Sequence, residues 1–250
     1  MDWKSYQGVL FDLDGVLTPT ADVHMRAWSE MFNAYLAGLR GVQGVGETTP
    51  EAGNLRPYTD ADYFEYVDGR PRYDGVRAFL LSRGIELPEG DPSDPPTAET
   101  VCGLGNRKNE AFNEVLARDG VEPYPGSVAL LDALAAMGVK MGVVSSSANA
   151  RSVLTAAGLA DRFEHVVDGL VARAEGLPGK PAPDTYLRGA QLIGVPVSGA
   201  VVVEDATSGV AAGRAGDFGL VLGVDRGVGA EALTEAGADV VVSDLAEVVP

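Results

Sequence analysis

Val9-Leu10-Phe11-Asp12-Leu13-Asp14-Gly15-Val16-Leu17-Thr18 reads as a buried strand that ends in two acids. Side chains alternate along a strand with a period of two. Asp12 and Asp14 therefore share one side, and both carboxylates leave from the carboxyl end, where open parallel sheets bind ligands. Gly15 then permits a sharp turn. A carboxylate is a weak base but a competent nucleophile toward phosphorus, since attack gives an acyl phosphate that passes its phosphoryl group onward. A second acid beside it can hold or deliver the proton. Asp-x-Asp-Gly also occurs in plain turns and in calcium loops. The apolar run before it favours the strand-end site, and the readings part on whether later strands end in a hydroxyl, a lysine and further acids.

A chain of 250 residues with 46% hydrophobic content holds one large domain, or a core domain carrying a smaller one. The formal charge of -17 argues against nucleic acid or an anionic membrane as partner, because both need dense positive charge. An acidic chain that handles phosphate must gather its few cations locally. The single cysteine, Cys102, excludes an internal disulfide and a cysteine-based zinc cluster, which fits a reducing compartment. Met1-Asp2-Trp3-Lys4-Ser5-Tyr6 has neither the basic start nor the apolar core of a signal peptide, and no apolar run approaches membrane-span length. The expected setting is the cytoplasm.

After the opening strand, Trp28, Met31, Phe32, Tyr35 and Leu36 recur at helical spacing within Ala21 to Leu39, with Thr20 as the expected N-cap. Gly38 to Asn54 is glycine-rich and is expected to be weakly structured. Short helices are predicted over Asp60 to Tyr66, Tyr73 to Arg83, Ala98 to Leu104 and Asn106 to Arg118, with no strand among them. Gly84 to Thr97, rich in Pro, Gly and acids, reads as a surface excursion. From Tyr124 the pattern alternates. Helices are predicted over Ser127 to Met137, Ala148 to Ala157, Asp184 to Ile193, Ser208 to Ala215 and Ala230 to Glu235. Strands are predicted over Val139 to Ser145, His165 to Asp168, Ala200 to Glu204, Gly219 to Val224 and Asp239 to Val242, with a loop running to Lys180. Alternation of this kind implies right-handed crossovers and an α/β fold: a doubly wound, Rossmann-like parallel sheet covered on both faces. The expected organisation is a core of residues 1–19 and 124–250 with a helical cap, 20–123, inserted after the first strand.

Three further strands or their loops end in polar groups, and such ends converge on one crevice. Val143-Val144-Ser145-Ser146-Ser147 runs into hydroxyls and then into a helix near Asn149, whose amides can receive a phosphate oxygen. Ser147 reads equally as a helix cap. Gly179-Lys180-Pro181-Ala182-Pro183-Asp184 presents Lys180 from a proline-stiffened loop before a helix start. Val201-Val202-Val203-Glu204-Asp205 ends an apolar strand in paired acids. Two acids facing two more on the opening strand repel unless a cation lies between them. Magnesium suits that place, as a hard ion that takes oxygen ligands and bridges to substrate phosphate.

In order, Asp12 to Thr18, Ser145, Lys180 with Pro181-Ala182-Pro183-Asp184, and Glu204-Asp205 resemble the four motifs of the haloacid dehalogenase-like hydrolase superfamily. The helical insert resembles that superfamily's cap. The resemblance implies that Asp12 is the nucleophile and Asp14 the general acid/base. It implies that Ser145 and Lys180, with Ser146 and Asn149 nearby, bind the transferring phosphoryl group. Magnesium would contact Asp12, the Asp14 carbonyl and Asp205, with Glu204 close by. Within the superfamily the chain is most similar to the β-phosphoglucomutase family. Phe11 to Trp28 reads like that family's opening, with His24 and Trp28 on the first cap helix. Arg72 and Lys108 fall where the family places a phosphate-clamping arginine and a cap lysine. Pro19, the second half of the cap and the Gly84 to Thr97 excursion depart from the pattern.

The resemblance implies a mutase that converts β-glucose 1-phosphate to glucose 6-phosphate through an aspartyl phosphate, with glucose 1,6-bisphosphate as priming intermediate. His24 would restrain Asp14 until the cap closes. A magnesium-dependent sugar-phosphate phosphatase is the first alternative, and a non-catalytic binding module on the same scaffold the second. The expected partner is a small sugar phosphate bound by a monomer.

Overall fold

The computed structural model describes residues 1–42 and 55–250. Six strands form one parallel sheet: β1 (Gly8–Phe11), β2 (Lys140–Val144), β3 (His165–Val167), β4 (Ala200–Glu204), β5 (Leu220–Val224) and β6 (Val240–Val242), in the order β3-β2-β1-β4-β5-β6. The helices, in chain order, are α1 (Thr20–Val42), α2 (Asp60–Asp62), α3 (Arg72–Ser82), α4 (Val101–Asp119), α5 (Pro125–Ala136), α6 (Ala150–Ala156), α7 (Gly169–Glu175), α8 (Asp184–Ile193), α9 (Thr207–Ala215) and α10 (Ala230–Ala236). The chain divides into two compact units. One comprises Met1–Ala21, Gly69–Pro71 and Gly120–Pro250, and the other Asp22–Asp68 and Arg72–Asp119.

In the first unit the central strands β1 and β4 are buried at every position because both faces are covered. Leu10, Val144 and Val202 pack with Tyr186, Ala190 and Ile193 of α8 and Ala212 of α9. The alternate residues Val9, Phe11, Val143, Val201 and Val203 are equally buried. Pro125 starts α5, where a missing N–H costs nothing, and α8 stops at Gly194 in the left-handed region. The strand order places β1 between β2 and β4. The chain winds outward through β2 and β3, then resumes on the other flank with β4, so the switch point of the sheet lies beside β1.

The second unit is helical. Trp28, Met31, Phe32, Tyr35 and Leu36, the stripe at helical spacing on α1, are buried with Tyr58, Val76, Phe79 and Leu104. Phe32 lies 4.1 Å from Phe79 between ring centroids and 5.1 Å from Tyr58. Asp62 is buried there with Arg83, whose guanidinium donates to it at 2.8 Å, and it also accepts from Arg56 and from Thr59.

Several elements differ from the sequence expectation. The opening strand ends at Phe11, because Asp14 to Thr18 close on themselves: Gly15 N donates to Thr18 O at 2.7 Å and Leu17 N to Leu13 O at 2.9 Å. Thr20 begins α1 and gives its hydroxyl to Asp14 rather than acting as a cap. Asp60 to Tyr66 is the short α2 followed by a π turn over Tyr63–Val67. The two helices predicted over Ala98 to Arg118 are one, α4. The loop predicted before Lys180 contains α7, whose N-cap Asp168 accepts from Leu170 N at 3.0 Å and Val171 N at 2.9 Å. Of the stretch expected to be weakly structured, residues 38–42 belong to α1 and residues 43–54 lie outside the described residues. No helix among the described residues is long and apolar enough to cross a membrane.

Candidate active site

Sheet register brings the first unit's chemistry to one level. Phe11 pairs with Val143 on one side and with Val203 on the other, so Asp12, Val144 and Glu204 stand next in line at the carboxyl ends of three adjacent strands. The Asp12 amide continues the ladder, donating to Val203 O at 2.9 Å. Lys180 joins all three strand ends from the loop before α8. Its Nζ donates to Asp12 Oδ1 at 2.5 Å, Glu204 Oε1 at 2.5 Å and the Val144 carbonyl at 3.1 Å, which engages all three ammonium protons. Burial works against that charge, but the Asp12 and Glu204 carboxylates outweigh it and hold Lys180 above the ordinary lysine range. It stays cationic near neutrality and is not a proton acceptor there.

Burial pushes Asp12 well above the usual carboxylate range. Glu204 and Asp14 add to the rise, and Lys180 offsets only part of it. A cation beside the carboxylate would bring it down again. Asp12, Glu204 and Asp205 each offer a carboxylate oxygen, and these oxygens lie within 4.8 Å of one another. Three hard anionic donors so close together suit a divalent, oxygen-seeking cation. Glu204 has both oxygens engaged. Oε1 accepts from Lys180 and, at 2.8 Å, from the buried Tyr186 hydroxyl; Oε2 accepts from the Asp205 and Ala206 amides at 3.1 and 3.2 Å. Burial first, then the Glu204 charge, drives the Tyr186 phenol far above its ordinary range, so it remains a donor.

Gly15 lies against Asp205. Its φ is +86°, and a Cβ there would sit 1.8 Å from Asp205 Oδ2, so only glycine lets the turn after β1 approach the carboxylate. Asp14 accepts from the Thr20 hydroxyl, and Thr20 and Thr18 share a bond of 2.8 Å.

Ser145, buried at the end of β2, accepts from Ser147 N at 3.1 Å, and Ser147 Oγ accepts from Asn149 N at 3.1 Å. The Asn149 amide thus meets a serine hydroxyl rather than standing open. Ser146 gives its hydroxyl to the Gly69 carbonyl at 2.7 Å. In the second unit His24, Trp28 and Lys108 come together: the Lys108 ammonium meets His24 Nδ1 and lies 5.0 Å above the Trp28 ring, and His24 stacks on Phe112 at 4.0 Å. Arg72 belongs to a different group, with Tyr73 and Asn106.

Sequence reasoning missed Tyr186 and Asn106, and read Thr20 only as a helix cap. Tyr186 carried a signal, since a tyrosine on the buried face of α8 needs a partner for its hydroxyl and Glu204 ends the strand beneath it. Thr20 and Asn106 carried none, because their partners are set by packing.

A family model described as haloacid dehalogenase-like hydrolase matches residues 6–217. A β-phosphoglucomutase of Mycobacterium tuberculosis is 53% identical over 98% of this chain and 92% of its own. The fructose-1-phosphate phosphatase YqaB of Escherichia coli is 31% identical over 85% of this chain and 94% of its own. Among solved structures, CbbY from Rhodobacter sphaeroides in complex with phosphate is similar in fold, with a TM-score of 0.68 and 22% identity over 97% of this chain and 96% of its own.

Proposed function

The chain belongs to the haloacid dehalogenase-like hydrolase family, as an enzyme of phosphotransferase or phosphatase type, and we propose that it is a β-phosphoglucomutase working through an aspartyl phosphate on Asp12. The observation that carries this reading is the Asp12 carboxylate, buried at the switch point with Lys180 at 2.5 Å and the Glu204 and Asp205 acids around it. The 53% identity with a mycobacterial β-phosphoglucomutase supports the choice of substrate.

In this reading Asp14 removes the proton of the C6 hydroxyl of β-glucose 1-phosphate. The freed oxygen attacks the phosphorus on Asp12, the acyl phosphate bond breaks, and Asp12 recovers its carboxylate. The resulting glucose 1,6-bisphosphate turns over. Asp12 then attacks the C1 phosphorus, and the departing C1 oxygen takes the proton from Asp14, leaving glucose 6-phosphate and a phosphorylated Asp12. Lys180 neutralises charge on the transferring group, and Ser145, Ser146 and Asn149 line its approach. Asp12, Asp205 and the Asp14 carbonyl would hold magnesium, which when bound screens the phosphoryl charge. Glu204, with both oxygens engaged, holds Lys180 and the following turn in place. We assign the phosphate that is not reacting to Arg72 and Lys108, with Trp28 beside Lys108, and restraint of Asp14 to His24. The helical unit serves as a cap that excludes water while the bisphosphate turns.

The second reading is a sugar-phosphate phosphatase, favoured by the 31% identity with a fructose-1-phosphate phosphatase; water then attacks the same intermediate. A time course with β-glucose 1-phosphate, magnesium and trace glucose 1,6-bisphosphate separates them. The mutase accumulates glucose 6-phosphate, and release of inorganic phosphate at the rate of substrate loss overturns that assignment.

A further inference from the structure

Arg72, the first residue of α3, is held by its neighbours from one edge. Its Nη2 donates to the Tyr73 hydroxyl at 3.1 Å and to Asn106 Oδ1 at 3.1 Å, and the Tyr73 hydroxyl donates to the same oxygen at 2.9 Å. Asn106 Nδ2 donates to the carbonyls of Pro92 at 3.0 Å and Asp94 at 2.9 Å. The side-chain amide is therefore saturated, with two bonds accepted and two donated. A flipped amide would turn its NH2 toward the guanidinium and its oxygen toward two carbonyls, so the partners fix its orientation.

Two further features support the arrangement. Gly105 leaves room for it: a Cβ there would stand 2.7 Å from Tyr73 Cδ1 and 3.3 Å from Arg72 Cγ. Arg72 Nε is buried with no hydrogen-bond partner among the described residues, an unmet donor of the kind an anionic oxygen satisfies.

Pro92 and Asp94 belong to the excursion that departs from the family pattern, and that excursion is fastened along its length. Asp94 accepts from Asp91 N and from Thr100 Oγ1, Arg107 Nε donates to Pro96 O at 2.7 Å, and Val101 N donates to Pro88 O at 3.0 Å. A guanidinium tied at Nη2 to a braced amide has lost most of its rotamers before a ligand arrives, so less freedom is lost on binding phosphate.

We propose that Asn106 is the positioning residue for Arg72 and that the excursion acts as its strut. Together they tune selectivity for sugar phosphates whose non-reacting phosphate Arg72 takes. The proposal rests on the assignment of Arg72 to the non-reacting phosphate.

Kinetics of Asn106→Ala, Arg72→Ala and the double variant test it, with β-glucose 1-phosphate and with p-nitrophenyl phosphate, whose only phosphate is the transferring one and which offers Arg72 no other. Asn106→Ala is expected to lower kcat/KM for the sugar phosphate about tenfold, mainly through KM. The loss on p-nitrophenyl phosphate should be much smaller. Asn106→Asp, which keeps an acceptor for Arg72 but turns its second oxygen toward the Pro92 and Asp94 carbonyls, should restore only part of the loss. In the Arg72→Ala background Asn106→Ala should cost nothing further on the sugar phosphate, a coupling that a merely structural role would not give. Equal losses on both substrates, additive losses, or wild-type kinetics for Asn106→Ala overturn the proposal while leaving the Arg72 assignment intact. A wild-type KM for the sugar phosphate in Arg72→Ala overturns the assignment itself, and the proposal with it.

Discussion

Lys180 Nζ stands 2.5 Å from Asp12 Oδ1, a buried pair in which a lysine carried by the loop before α8 meets the acid that follows β1. The same ammonium holds Glu204 at 2.5 Å, so its removal leaves two carboxylates facing each other with no cation between them. Lys180→Met is expected to lower turnover about a hundredfold to a thousandfold, as loss of one preorganised charge donor does elsewhere. Its melting temperature should respond more strongly to added magnesium than that of the wild type. Steady-state kinetics and thermal melts with and without the metal check both.

Tyr186→Phe removes one hydrogen bond to a buried carboxylate and little volume. Stability is expected to fall by about 1.5–3 kcal/mol, the range for bonds to charged groups, as read by denaturant unfolding. A larger effect on kcat than on the KM for substrate would show that Glu204 and Lys180 shift with it.

Gly15→Ala forces a Cβ into the Asp205 carboxylate at a backbone φ of +86°. The sheet does not depend on this contact, so the fold should survive while Asp205 is displaced. The expected result is a rise of at least about tenfold in the magnesium concentration needed for half-maximal activity.

The candidate site positions at three strand ends were legible because each ends an apolar run: Asp12 after Val9-Leu10-Phe11, Ser145 after Val143-Val144, and Glu204-Asp205 after Val201-Val202-Val203. A strand buried on both faces has no reason to end in charge except at a crevice. The short α7 went unread although Asp168 and Gly176 bracket it as N-cap and left-handed C-cap, because Gly169-Leu170-Val171-Ala172-Arg173-Ala174-Glu175 shows no apolar stripe and none of its residues is buried. The continuity of α4 was hidden by Gly105, which looks like a break in sequence. At Gly105 the cause is the Tyr73 ring, a neighbour from another helix that no local pattern reveals. Distant partnerships such as Asn106 with Arg72 and Thr20 with Asp14 are likewise products of packing.

Asp62 ties the helical unit together. Burial alone would raise its carboxyl, but the bonds from Arg83 and Thr59 outweigh that and hold it below the ordinary range. A lowered folded value means its contribution is complete above the unfolded value of about 3.9 and is lost as pH falls through the folded one. Asp62→Ala leaves Arg83 buried and unpaired, and is expected to destabilise by about 3–5 kcal/mol near neutrality. Urea unfolding at neutral pH and below pH 4 should show the difference between variant and wild type narrowing in acid.

The most direct measurement is capture of the covalent intermediate. Enzyme turning over β-glucose 1-phosphate with magnesium is quenched in acid, digested and mapped by mass spectrometry. The expected result is a phosphoryl group on the Asp12 side chain, lost on treatment with hydroxylamine and absent from Asp12→Asn, which should be inactive. Turnover with no phosphoryl group on Asp12, or retained activity in Asp12→Asn, would contradict an aspartyl-phosphate mechanism at this site.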